Sequence, residues 1–130
     1  MRRLVLLMTL VSALLVAGCS SASNGVQSVG AQQFLETASQ PGVTVIDVRT
    51  PQEYAAGHLE GAVNMNVESP DFANQISSLN KDATYEVYCH SGRRSTLAGD
   101  QMSGAGFGTV YNLDGGIADL QAAGGQIVTG

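Results

Sequence analysis

Cys89 opens the heptapeptide Cys89-His90-Ser91-Gly92-Arg93-Arg94-Ser95, directly after Tyr85-Glu86-Val87-Tyr88 and directly before a stretch with helical character. A thiol that leaves a strand into a glycine-containing loop feeding a helix N-terminus sits where backbone N–H groups converge on one anion. Such surroundings favour thiolate over thiol. The unperturbed cysteine pKa of about 8.5 falls by ~1 to several units near a helix N-terminus and arginines, so the nucleophilic form dominates at neutral pH. The plain alternative for a free cysteine is a small buried hydrophobe, which suits poorly a residue entering a polar Gly/Arg loop. His90 has the chemistry of a base, but side chains of adjacent residues point apart, so its expected contribution is its backbone N–H. Cys89 and two histidines at unrelated spacings make no zinc pattern, and no metal or organic cofactor is expected. Gly115-Gly116 reads as turn chemistry and not as a phosphate loop, because no Lys-Ser/Thr pair follows it.

The elements that position this loop alternate between strand and helix. Residues 26–29 form a short first strand, and residues 31–38 a helix with Phe34 and Leu35 facing inward. The β-branched run at 43–46 is a buried strand ending at Asp47. Thr50-Pro51-Gln52-Glu53 combines an N-cap, a proline at the first helical position and a glutamate at the third, so a short helix starts there and stops at Gly57. Residues 62–65 form a short strand, 72–79 a helix, and 84–88 the strand that delivers Cys89. The helix after the loop runs from 95 to 102 and ends at Gly104 or Gly106, residues 109–111 form another strand, and 117–122 the last helix. Repeated strand and helix units imply an α/β fold with a mainly parallel sheet of about five strands and helices on both faces. Ligands bind at the carboxyl ends of such strands, where Cys89 falls. Asp47 and Arg49 follow a buried strand, and Glu53 lies four residues beyond Arg49, so charge pairing that shapes the pocket wall is expected of them. His58, in Gly57-His58-Leu59, is expected to hold loops together through a hydrogen bond.

Three stretches in order resemble the single-domain rhodanese family. Cys89, four residues and Arg94 are similar to its active-site loop. Asp47-Val48-Arg49, then Glu53-Tyr54, Gly57-His58, Gly61-Ala62 and Asn64 resemble its upstream signature. Gly106-Phe107 and Val110-Tyr111-Asn112-Leu113-Asp114-Gly115-Gly116-Ile117 resemble the pattern after the active-loop helix. Where many relatives carry a tryptophan shortly after this last motif, the chain has Leu120, and it contains no tryptophan.

The resemblance implies a rhodanese-like fold over residues 26–130 and a two-step sulfur transfer through a Cys89 persulfide. The donor would be thiosulfate or a similar small anion, and the acceptor cyanide, a thiol or a partner protein. In that reading the loop residues 90–95 surround the transferred sulfur. Arg94 closes the loop by donating hydrogen bonds to its carbonyls and keeps the pocket cationic, and Arg93 attracts the anionic substrate. A cysteine phosphatase on the same fold would have five residues between cysteine and arginine; here position 95 is serine, which points to sulfur over phosphate. The other readings are a tethered persulfide carrier with little turnover, or a thiol-dependent binding domain.

Met1-Arg2-Arg3 and the apolar stretch 4–17 form a start of signal-peptide type, too short for the roughly 20 apolar residues that cross a bilayer. Val16-Ala17-Gly18-Cys19 resembles a bacterial lipobox, so cleavage is expected before Cys19, with lipid on its sulfur and amino group. Residues 1–18 are then a lipoprotein signal peptide, 19–25 a lipidated flexible tether, and the protein is anchored to the cell envelope on its extracytoplasmic side. More than one acyl chain makes such anchoring durable. Without residues 1–18 the chain has four basic side chains against eleven acidic ones, a net charge of −7. Apart from the loop it has no basic cluster for nucleic acid or anionic headgroups, so membrane attachment rests on the lipid.

Overall fold

The computed structural model describes residues 25–130; the expected signal peptide and the expected lipid site at Cys19 lie outside the described residues. The element order is β1 (Gln27–Val29), α1 (Ala31–Ala38), β2 (Val43–Asp47), α2 (Pro51–Ala56), β3 (His58–Leu59), β4 (Val63–Asn64), α3 (Phe72–Ser77), β5 (Thr84–Tyr88), α4 (Arg93–Gly104), β6 (Thr109–Leu113), α5 (Ile117–Ala122) and β7 (Ile127–Val128). Five strands form one sheet in the order β1-β6-β5-β2-β4, every pair parallel. β5 lies at its centre, with Val87 opposite Ile46 of β2 and Asn112 of β6.

Because side chains alternate across a strand, β5 feeds two cores. Tyr85, Val87 and Cys89 join Phe72 and Ile76 of α3 and Ala98 and Met102 of α4 on one face. Tyr88 joins Phe34 of α1 and Leu120 of α5 on the other, with the Phe34 and Tyr88 rings edge-to-face at 6.1 Å. Leu120 is fully buried there.

α2 has the expected capping box: Glu53 N–H donates to Thr50 Oγ1 at 3.2 Å, and the Glu53 carboxylate reaches back to the Thr50 N–H at 3.5 Å. α4 begins at Arg93, two residues before the expected start, since Gly92 adopts a left-handed conformation (φ 96°) and serves as its N-cap. Arg93 and Arg94 therefore belong to the first helical turn. β3 and β7, which the sequence pattern does not disclose, pair antiparallel as a separate two-stranded sheet, and His58 lies in this strand instead of a turn.

Candidate active site

Cys89 stands immediately beyond the carboxyl end of the central strand and is fully buried. Gly92 N–H lies 3.0 Å from its Sγ, and the Ser95 hydroxyl 3.5 Å away. Burial by itself pushes the thiol up. Hydrogen bonds from the Ser95 hydroxyl and from the backbone N–H groups of Ser95, Ser91 and Gly92 outweigh it, and the thiol is held below its ordinary pKa. The free N–H groups at the start of α4 and the helix dipole act in the same direction.

The loop is backed by the Gly115-Gly116 segment. Ile117 N–H donates to the Cys89 carbonyl at 3.0 Å, and Asp119 accepts from Gly116 N–H at 2.8 Å. A Cβ at Gly116 would overlap the His90 carbonyl, so this glycine permits a close approach of two backbones as well as a turn. Sequence reasoning credited it with the turn alone.

Arg94 differs from expectation. Its guanidinium turns to α2 instead of to the loop carbonyls, donating to both Glu53 oxygens at 2.7 and 2.9 Å and to Glu68 at 3.4 Å. Placement in the first turn of α4 aims the side chain outward, where a matching carboxylate waits. Arg94 holds the Glu53 carboxyl down to about 2. Arg93 is exposed, and none of the described carboxylates lies within ion-pair distance of it. A cleft of about 370 Å³ lined by Glu68, Ser91, Arg93, Arg94 and Leu97 opens on one side of the Glu53–Arg94 pair. A second, of about 290 Å³, includes Arg49, Glu53, Gly57 and His90. His90 lines this second cleft, while the N–H groups that lower the thiol belong to Ser91, Gly92 and Ser95.

Asp47 and Arg49 pair with each other, not with Glu53. Arg49 Nη2 is 2.7 Å from Asp47 Oδ2 and also donates to the Gly57 carbonyl at 2.6 Å. Tyr88, the residue before the cysteine, donates its hydroxyl proton to Asp47 Oδ2 at 2.7 Å and accepts from Leu59 N–H at 2.9 Å. This buried network fixes the end of β5 against β2 and β3. His58 stacks on Tyr54 with 3.6 Å between ring centroids, and its Nδ1 is 2.8 Å from the Tyr54 carbonyl, a contact that holds α2 to β3.

Compared with known protein families, residues 30–123 match the rhodanese-like domain. The chain belongs to the rhodanese-like family. Among curated relatives of this rhodanese-like chain, thiosulfate sulfurtransferase GlpE of Pseudomonas putida strain F1 is 39% identical over 86 residues, which cover 66% of the chain and 76% of that protein. The tRNA uridine(34) hydroxylase of Chlamydia abortus is 37% identical over 111 residues, covering 80% of the chain and 34% of the hydroxylase. Among solved structures, the Alr3790 protein from Anabaena superposes with a TM-score of 0.68 at 32% identity, covering 78% of this chain and 91% of that one. A rhodanese-related protein from Thermoplasma volcanium superposes at 0.70 and 27% identity, covering 80% and 99%. These rhodanese relatives share the parallel α/β architecture described above.

Proposed function

We propose that the protein is a sulfurtransferase that carries sulfane sulfur on Cys89 from a thiosulfate-like donor to a thiophilic acceptor. The observation that carries this reading is a buried Cys89 sulfur with the Gly92 N–H 3.0 Å away and the Ser95 hydroxyl 3.5 Å away at the start of α4, a setting that holds the thiol below its ordinary pKa. The named relatives support it, the GlpE proteins being thiosulfate sulfurtransferases.

In the first step the Cys89 thiolate attacks the outer sulfur of thiosulfate; the new S–S bond forms as the old one breaks, and sulfite leaves with the bonding pair. In the second, cyanide or a thiolate attacks the outer sulfur of the Cys89 persulfide and returns the thiolate. Charge is conserved in both steps, so the site's task is to hold negative charge on sulfur without proton transfer, which preorganised N–H donors do. Arg93, the unpaired guanidinium at the mouth, meets the incoming sulfonate end. A loop with four residues between Cys89 and Arg94 favours sulfur over the larger phosphate group.

Intact-mass analysis before and after thiosulfate tests the reading. The expected result is a gain of one sulfur, lost on adding cyanide and never seen in Cys89→Ser. A wild-type protein that gains no mass sinks it. We further propose that Cys19 carries the lipid that tethers the domain to the envelope. Labelled palmitate is expected to enter the wild type and not Cys19→Ala; equal labelling of both rejects that anchor.

A further inference from the structure

The carbonyl of Gly92 accepts three hydrogen bonds: from Thr96 N–H at 3.1 Å, from the Thr96 hydroxyl at 2.7 Å and from the Ser95 hydroxyl at 3.2 Å. A threonine hydroxyl has one proton, and here Gly92 takes it. The oxygen therefore faces Asn112 as an acceptor, and Asn112 Nδ2 donates to it at 3.1 Å. That assignment fixes the orientation of the Asn112 amide and leaves its Oδ1 buried without a hydrogen-bond partner. A buried carbonyl oxygen with no donor is a cost to stability, and a leucine of similar size would avoid it. Asn112 is thus poorly explained as a packing residue.

Ser95 shows what the arrangement does. While Cys89 is a thiol, its S–H points to Ser95 Oγ and the Ser95 proton goes to the Gly92 carbonyl. Once the sulfur has lost its proton it becomes an acceptor, and the Ser95 proton has to turn from Gly92 to the sulfur. The Gly92 carbonyl then keeps two donors, both from Thr96. We propose that Asn112 and Thr96 are positioning residues that hold Gly92 in place by its carbonyl, so that Ser95 is released to the sulfur while the N–H of the same residue stays aimed at it. Neither side chain hydrogen-bonds the sulfur; Asn112 on β6 acts through Thr96 on α4, and Thr96 through Gly92. The inference rests on Cys89 being the nucleophile and not on which donor supplies sulfur.

The test is the pH profile of Cys89 alkylation by iodoacetamide in the full-length protein, beside its thermal unfolding. Asn112→Leu is expected to unfold at the same temperature or higher, yet to react about three to ten times more slowly at pH 7, with its alkylation midpoint moved upward. Thr96→Val, at an exposed position, is expected to match it, Thr96→Ser to behave as wild type, and the double variant to be no slower than the slower single one. Arg94, the charged group that acts on Cys89, keeps its Glu53 partner in every variant. An unchanged pH profile in Asn112→Leu and Thr96→Val, whether or not stability falls, overturns the proposal; so do two effects that add. Alkylation needs no sulfur donor, so failure of the sulfur-transfer reading would show separately, as absence of a persulfide in the wild type.

Discussion

Arg93 and Arg94 are neighbours with different electrostatic duties. Arg94 spends its fork on Glu53, so it braces the loop against α2, and in the proposed reaction the task of meeting an anion falls to Arg93. Arg93→Gln is therefore expected to raise KM for thiosulfate about three- to tenfold with little change in kcat, a difference that shrinks at high salt; steady-state kinetics at two ionic strengths would show it. With Glu53 held to about 2, the brace survives mild acid. Its contribution is complete above the ordinary glutamate pKa and is lost as pH falls through about 2. The position of Cys89, between a strand end and a helix start, was legible from its own neighbours, because strand, glycine and helix start are local signals. The Glu53–Arg94 pair was not: its members lie 41 residues apart, and local spacing offered Arg49 as the partner of Glu53 instead.

Among elements, α1, β2, α2, β5 and α5 were readable because each carries its own reason to form, such as the β-branched run of β2 or the capping box of α2. β3 and β7 have two residues each and exist only by pairing with one another, so no periodicity could reveal them. The start of α4 was misplaced because Gly92 reads as loop until its left-handed conformation makes it a cap. The turn before α5 holds a similar hidden demand. Gly116→Ala is expected to push the His90 carbonyl away, destabilise the fold by about 2 kcal/mol or more, and lower turnover on the order of a hundredfold. Chemical denaturation together with kinetics checks both effects; an alanine variant with wild-type turnover would deny the close approach its role.

At the scale of the whole molecule, Glu86 is the misfit. It lies mid-strand in β5 on the α1 and α5 face, fully buried, with neither carboxylate oxygen hydrogen-bonded, and burial raises its pKa from 4.5 to about 8. The folded form keeps the proton where the unfolded chain gives it up. Stability is thus greatest below about 4.5 as far as this group is concerned, and declines as pH rises to about 8, by on the order of 4 kcal/mol across that window. Urea titrations at pH 5 and pH 8 are expected to show the decline in wild type and a much smaller one in Glu86→Leu; equal slopes would remove Glu86 as the cause.

The parallel sheet also gives the domain a direction. β1 runs the same way as β6 and β5, and its first residue, Gln27, lies level with Tyr111 of β6 and Glu86 of β5, so the polypeptide enters the sheet three residues, about 10 Å, behind the level of Cys89. A tether joined upstream of Gly25 would approach from behind that edge and leave the Cys89 loop facing away from it, toward arriving reactants.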